Sequence, residues 1–308
     1  MAFLFKSDPT RGQIWRAAFA RQVPEVEFRT WPEVGDAADI RYLAAWTVTR
    51  ELMESLPNLE VLFSVGAGVD QLDLTQVPPH VRVVRMLDPG LTESMVEFVC
   101  LSVLSLHRDL PHYRQAQGEQ RWAPLVPAAA TRRRVGVMGL GNLGRASLAA
   151  LRPLGFQLSG WSRSGAAVEG VRTYAGADAM PAFLGACDIL VCLLPLTGET
   201  RGILCRKSFA LLPRGAAIIN VGRGGHLVED DLIPALEAGQ LSAAIIDVLN
   251  VEPAPADHPF WRHPRIWLTP HVASRTRDDS SADVLIANIV RHKAGLAMAG
   301  EVDRDRGY

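Results

Sequence analysis

The sequence predicts an α/β fold with two parallel-sheet domains, and three observations carry that expectation. Short apolar runs alternate with helical patterns in two series, one before residue 118 and one after residue 131. Such alternation builds parallel sheets, because two parallel strands need a long crossover and a helix supplies it. The runs of the second series are almost continuously apolar, as strands covered on both faces must be. A length of 308 residues leaves room for two cores.

The first series places strands at Met1 to Phe5, Glu25 to Thr30, Tyr42 to Trp46, Val61 to Val65 and Val81 to Arg85, with a helix from Gly12 to Arg21. Pro or Gly bounds these runs. Leu87-Asp-Pro-Gly-Leu91 breaks the pattern. A long helix follows from Thr92 to Leu106, where Met95, Phe98, Val99, Leu101, Val103 and Leu104 give a wide apolar face and suggest a bridge between domains. Residues 118 to 131 contain Gly118, Pro124, Pro127 and three alanines, and read as an irregular connection. The second series has strands at Arg134 to Met138, Phe156 to Trp161, Asp188 to Leu194, Ala216 to Val221, Leu241 to Val248 and Arg265 to Thr269. A final helix, Arg277 to Gly295, has no evident place in that second sheet. No fixed-period repeat or low-complexity tract is present.

Composition narrows the function. Lys plus Arg is 32 against 33 for Asp plus Glu, so no overall field draws the chain to nucleic acid or to an anionic membrane. No uninterrupted apolar stretch reaches the roughly 18 to 20 residues that a spanning helix needs. The opening Met1-Ala-Phe-Leu-Phe is too short for a signal peptide and lacks a basic leader. Cys100, Cys187, Cys192 and Cys205 have no CxxC spacing and lie mostly in apolar runs, as reduced, buried thiols do. These features suggest a cytoplasmic protein with no metal site.

Gly139-Leu-Gly-Asn-Leu-Gly144 fits GxGxxG, a weak signal alone. Its context strengthens it: a strand precedes it, a helix from Asn142 to Leu154 follows, and the next strand ends at Trp161, about 20 residues on. Gly139 permits a tight turn, Gly141 lets the backbone approach a pyrophosphate, and Gly144 lets helix and strand pack closely. Asn142 and Leu143 open a helix whose N-terminus presents unpaired N–H groups to phosphate. An NAD site would place an acid at the end of the second strand, to accept from the ribose 2′-OH. Here the run is Gly160-Trp161-Ser162-Arg163-Ser164. A 2′-phosphate would meet a hydroxyl and a guanidinium, so NADP(H) is favoured over NAD(H).

Three further segments follow strands of the second series, at the carboxyl ends where open parallel sheets bind ligands. Asn220-Val-Gly-Arg-Gly224, Asp247-Val-Leu-Asn-Val-Glu-Pro253 and Leu268-Thr-Pro-His-Val-Ala-Ser274 each deliver one polar side chain to that rim. These are Arg223, Glu252 and His271. An Arg in a Gly-rich turn, a Glu before Pro or one His among eight is unremarkable singly; the ordered set is what points to catalysis.

With these motifs in order, the chain resembles the D-2-hydroxyacid dehydrogenase family along nearly its whole length. Leu194-Pro-Leu-Thr-Gly-Glu-Thr200 is a further matching segment. Val65-Gly-Ala-Gly-Val-Asp70, Trp161-Ser-Arg163, Val228-Glu-Asp-Asp-Leu232 and Val302-Asp-Arg-Asp-Arg-Gly-Tyr308 look closer to its glyoxylate/hydroxypyruvate reductase A branch. The resemblance implies two Rossmann-like doubly wound parallel-sheet domains with the active site in the cleft between them. Residues 1–98 and 276–308 would form a discontinuous substrate domain, which accounts for the unplaced last helix, and residues 99–275 the cofactor domain. Trp161, Leu194, Pro195, Thr200, Val221, Gly222 and Asp247 would contribute to the cofactor site, with Asp247 facing the nicotinamide carboxamide. The backbone at Ala67 and Gly68 would bind the substrate carboxylate, Trp46 would line the pocket, and residues 100 to 130 would form a homodimer.

The chemistry is one these residues can perform. Arg223 can bind the carboxylate of a small 2-oxo acid and polarise its carbonyl. Protonated His271 can donate to the carbonyl oxygen as hydride arrives from the nicotinamide. Glu252, bonded to the other ring nitrogen, would orient the imidazole and favour its acid form. Two alternatives stay open: another 2-oxo acid, including a phosphorylated one, and a non-catalytic nucleotide-sensing interaction protein on the same fold.

Overall fold

Strand and helix alternate along much of the computed structural model, which describes residues 1–304. The last residues of the Val302–Tyr308 motif, and of the expected substrate domain, lie outside the described residues. The chain divides into two units, Met1–Glu93 with the chain from Arg275 onward, and Ser94–Ser274. The first division falls at 93/94 rather than 98/99, inside a helix that runs unbroken through both positions.

In the first unit, β1 (Ala2–Lys6), β2 (Glu27–Thr30), β3 (Ile40–Ala45), β4 (Val61–Ser64) and β5 (Arg82–Val84) form a parallel sheet in the order β2-β1-β3-β4-β5. This is a doubly wound order, reversing between β1 and β3. Helix α1 (Pro9–Gln22) starts at Pro9 because the Asp8 carboxylate accepts from Arg11 N–H at 2.9 Å and Pro suits the first turn. Its buried face, Gly12, Trp15, Ala18 and Phe19, joins Phe3, Phe5 and Phe28 in an aromatic cluster, with the Phe3 and Phe19 ring centroids 4.6 Å apart. Helix α2 (Arg50–Glu54) is a short crossover. The last helix, α9 (Asp278–Lys293), packs on α1 through Trp15 Nε1–H to Ser281 Oγ (3.0 Å) and the Arg11–Asp278 pair (2.7 Å). Beyond it the chain returns antiparallel to the β5 edge, where Val302 N–H donates to Val83 O at 2.9 Å.

In the second unit, the sheet order is β12-β11-β10-β9-β6-β7-β8, all parallel. Its strands are β6 (Arg134–Met138), β7 (Gln157–Ser162), β8 (Arg172–Ala175), β9 (Ile189–Cys192), β10 (Ala216–Asn220), β11 (Leu241–Ile246) and β12 (Ile266–Leu268). Neighbouring residues of one strand enter opposite cores: Ile189 and Val191 join one cluster, Leu190 and Cys192 the other. Both faces are therefore covered, as the continuous apolar runs require. The crossovers include α5 (Asn142–Leu151), α6 (Met180–Leu184), α7 (Arg206–Leu211) and α8 (Glu229–Glu237). Chain order reverses between β6 and β9, the position at which such sheets bind ligands.

Helices α3 (Pro89–His107) and α4 (Leu110–Gly118) depart from the sequence expectation. Helix α3 begins at Pro89 rather than Thr92, because Asp88 Oδ1 accepts from Gly90 N–H at 3.2 Å and Pro fits the first turn. It is long and apolar enough to pass for a membrane span. It nevertheless carries Glu93 and Glu97 and buries Met95, Val99, Val103 and Leu106 in a core cluster of the second unit.

Candidate active site

The Gly139–Gly144 turn lies at the switch point of the second sheet. Gly139 has φ +102°, and a Cβ there would meet Leu193 O, at the end of β9, at 2.6 Å. A Cβ on Gly144 would sit 1.9 Å from Gly139 O, so only glycine lets α5 approach the turn this closely. Gly141 differs: nothing lies within 4 Å of a Cβ placed there, and α5 has no side-chain cap. Gly141 and Asn142 are exposed. An uncapped helix N-terminus beside open space is a cradle of the shape and charge that a pyrophosphate needs.

The Trp161 indole turns inward, with its Nε1–H on Gly176 O at 2.8 Å and 7% exposure, and its carbonyl accepts from Gly139 N–H of the turn. Ser162 Oγ accepts from Gly165 N–H at 3.0 Å, shaping the turn after β7, and Arg163 is half-exposed beside Glu199, Nη1 to Oε2 3.5 Å. Pro195 O accepts from Thr200 Oγ1 (2.7 Å) and from His226 Nε2 (3.2 Å), while Leu194 and Val221 are buried.

Glu252 and His271 meet. His271 Nδ1–H donates to Glu252 Oε2 at 2.7 Å, with the two side chains 33% and 37% exposed. The other Glu252 oxygen accepts from Leu249 N–H at 2.9 Å, which fixes the carboxylate against its own loop. With Nδ1 committed to Glu252, His271 Nε2 is left with no hydrogen-bond partner among the described residues.

His271 has φ +53°, a left-handed conformation that an L-residue adopts only when its surroundings impose it. Asp247 imposes it. This buried carboxylate accepts from Thr269 Oγ1 (2.6 Å), Val272 N–H (2.9 Å) and Ala273 N–H (2.9 Å), and its carbonyl accepts from His271 N–H at 2.8 Å. Asp247 thus holds the turn that carries the histidine, a use its position after β11 did not disclose.

Arg223 follows β10 on a turn pinned from two sides. Asn220 Nδ2–H donates to Arg223 O at 3.1 Å, and the buried His226 Nδ1 accepts from Arg223 N–H at 3.0 Å. That bond fixes the tautomer, so Nε2–H is the donor to Pro195 O. Gly222 must lack a side chain, since a Cβ would come within 2.8 Å of His226 Nδ1. A Cβ on Gly224 would lie 2.0 Å from the main chain of Leu249, so the Arg223 turn and the loop carrying Glu252 are in backbone contact.

On the first unit, Trp46 is not a core residue; it is 44% exposed, and its ring lies 2.9 Å from where a Gly66 Cβ would stand. The loop after β4 is internally bonded. Buried Ser64 Oγ accepts from Gly66 N–H (3.2 Å) and Gln71 Nε2 (3.0 Å) and donates its hydrogen toward Gly68 O at 2.7 Å. Ala67 and Gly68 are half-buried. Sequence reasoning missed Ser64, Gln71 and His226, whose roles depend on burial beside a turn and leave no periodic mark. The cysteines are free; burial pushes the Cys187 and Cys192 thiols up to about 12, which keeps them protonated.

Residues 100–273 match the family model for the NAD binding domain of D-isomer specific 2-hydroxyacid dehydrogenases. A glyoxylate/hydroxypyruvate reductase A of Serratia proteamaculans is 40% identical over 301 residues, 96% of each chain. A D-isomer specific 2-hydroxyacid dehydrogenase of Xanthobacter autotrophicus, solved with NADPH and MES, is 39% identical and superposes with a TM-score of 0.94 over 100% of this chain and 99% of its own. An NADPH-dependent glyoxylate/hydroxypyruvate reductase of Sinorhizobium meliloti, solved with NADP and sulfate, is 35% identical with a TM-score of 0.91 over 100% of both chains. Carrying the family's motifs in order on the family's fold, the chain belongs to the D-isomer specific 2-hydroxyacid dehydrogenases.

Proposed function

We propose that this protein reduces small 2-oxo acids, glyoxylate and hydroxypyruvate, to glycolate and D-glycerate with NADPH. The single observation that carries the chemistry is the 2.7 Å Glu252–His271 pair beside the Arg223 turn. Arg223 binds the substrate carboxylate and draws electron density from the carbonyl. His271 donates its Nε2 proton to the carbonyl oxygen as negative charge grows there, while Glu252 holds the ring in place. NADPH, when bound, supplies the hydride. The reverse reaction uses neutral His271 as the base.

Gly139, Gly141, Asn142, Leu143 and Gly144 cradle the pyrophosphate. Leu194, Pro195, Thr200, Val221, Gly222 and Asp247 belong to the cofactor site through the turns they build. Ser162 and Arg163 receive the 2′-phosphate, with no acid at that position to repel it. The NADPH and NADP complexes of the Xanthobacter and Sinorhizobium relatives support that assignment. Ala67 and Gly68 supply backbone donors for the substrate carboxylate and Trp46 limits the size of its side chain. The unit of residues 1–93 with the chain from 275 onward serves as the substrate domain, and residues 94–274 as the cofactor domain.

We assign a homodimer formed through residues 100 to 130, where Leu101, Trp122 and Val126 are 60%, 98% and 95% exposed. A cytoplasmic location accords with four free cysteines.

A panel of 2-oxo acids assayed by NADPH and NADH oxidation, with chiral analysis of the glycerate formed, tests the reading. An L-product contradicts the stereochemistry, and a faster rate with phenylpyruvate or a phosphorylated acid moves the substrate. Failure to turn over any 2-oxo acid points to a nucleotide-binding interaction protein.

A further inference from the structure

The geometry points to Glu229 as a positioning residue that holds the loop carrying Glu252 in register with the Arg223 turn. The inference rests on the reading of His271 as proton donor.

Glu229 is the first residue of α8, where an acid commonly serves the helix itself. Here its oxygens are used elsewhere. Oε1 accepts from Asn250 N–H at 2.8 Å, and Oε2 lies 3.3 Å from His258 Nε2. His258 Nδ1 accepts from Phe260 N–H at 3.3 Å, so Nε2 bears the hydrogen and donates to Glu229. Both side chains are largely buried, at 22% and 12% exposure. Helix α8 has no side-chain cap, and a different first-turn acid, Asp231, accepts from Arg206 N–H at 2.8 Å.

Asn250 adjoins Leu249, whose N–H holds Glu252 Oε1 at 2.9 Å, and Glu252 Oε2 holds the His271 ring. Asn250 Nδ2–H also reaches Leu227 O at 3.4 Å. The short segment from Gly224 to Glu229 therefore touches both halves of the chemistry: His226 ties it to Arg223, and Leu227 and Glu229 tie it to the Glu252 loop. Releasing Glu229 lets that loop, and with it the Nε2 atom of His271, drift from the position Arg223 sets for the carbonyl.

Two variants separate this role from service to the helix. Glu229→Asp keeps the acid in the first turn of α8 but draws its oxygens back from Asn250. Glu229→Gln keeps the length and the acceptor for Asn250, while removing the charge and replacing the acceptor for His258 with an amide N–H donor. The measurement is the single-turnover rate constant for NADPH oxidation with saturating glyoxylate, which does not depend on the folded fraction; the amplitude reports that fraction. We expect Glu229→Asp to slow the step on the order of tenfold, within the range a displacement under 1 Å produces, with cofactor and substrate KM retained. Glu229→Gln should stay within about threefold of wild type. Wild-type speed in Glu229→Asp overturns the inference, as does a Gln variant slowed as much as the Asp variant. His271→Ala in the same assay keeps the two proposals apart. If that variant is also fast, the proton-donor reading fails; if it is slow while Glu229→Asp is fast, only the role of Glu229 fails.

Discussion

Both sheets are doubly wound, yet their first strands lead into opposite electrostatic environments. After β1 the chain enters α1 through Asp8, whose carboxylate occupies the helix N-terminus by accepting from Arg11 N–H. After β6 it enters α5 through Gly141, which has no side chain and open space where one would stand. The same architecture thus neutralises its N-terminal helix charge internally in one unit and leaves it available to an anion in the other. The glycines of the first unit also follow a different strand. Gly66-Ala-Gly68 leads into no helix, and Ser64, Gln71 and Trp46 close around it. Sheet topology alone does not make a nucleotide site; the residue at the helix cap decides.

The largest effect expected on this contrast comes from the rim of the second sheet. His271→Ala should lower kcat by roughly 10²–10⁴-fold while leaving NADPH affinity close to wild type, as the proposed role in proton transfer, away from the cradle, requires. Fluorescence titration with NADPH alongside steady-state kinetics checks both halves; a matching loss of affinity would place the histidine in cofactor binding instead.

Gly141→Asp tests the contrast itself by giving α5 the cap that α1 has. Gly141 has φ −76°, so a side chain there is unstrained. The new cap should add about 1 kcal/mol and raise Tm by roughly 2–4 °C. The same carboxylate should weaken NADPH binding on the order of ten- to hundredfold, through loss of the anion position and like-charge repulsion. Stability and affinity are expected to move in opposite directions. Calorimetry and cofactor titration together decide, and unchanged affinity would mean that the pyrophosphate does not sit at α5.

Much of this contrast was legible in the sequence. The GxGxxG string, its flanking strand and helix, and the rim residues Arg223, Glu252 and His271 all belong to segments whose chemistry differs from what a strand or helix alone demands. Elements held by local chemistry were not. Strand β8, Arg-Thr-Tyr-Ala, is a polar edge strand with no alternation to reveal it. Helix α4 starts at Leu110, after Asp109, whose left-handed conformation leaves its side chain without the capping hydrogen bond that Asp and the following Pro would suggest. The duties of Asp247 and His226 arise from turns that bring distant backbone N–H groups together, and no spacing in the sequence records that.

Gly66→Ala sharpens the comparison from the first unit. A Cβ would press on the Trp46 ring at 2.9 Å, and the half-exposed indole can yield only by turning away. KM for hydroxypyruvate should rise roughly three- to tenfold, the scale of one misfitted carbon in a pocket. NADPH affinity should not change. An equal change in both would show that the two glycine turns do not divide the ligands between them.

The smallest effect concerns the cofactor's distal end. Arg163 Nη1 lies 3.5 Å from Glu199 Oε2, with side-chain exposures of 52% and 75%. A 2′-phosphate recruiting Arg163 has to compete with this carboxylate, so Glu199→Gln should bind NADPH more tightly. Solvent screens so exposed a pair, and such pairs contribute little, which limits the gain to roughly two- to fivefold in KM for NADPH. Three features identify the cause. The gain should vanish with NADH, which has no phosphate at that position. It should vanish in an Arg163→Ala background, where the competition no longer exists and NADPH alone has lost affinity. It should also shrink as ionic strength rises. A gain that persists with NADH would assign Glu199 to a general repulsion of the nucleotide, and one that persists without Arg163 would remove the guanidinium from 2′-phosphate recognition.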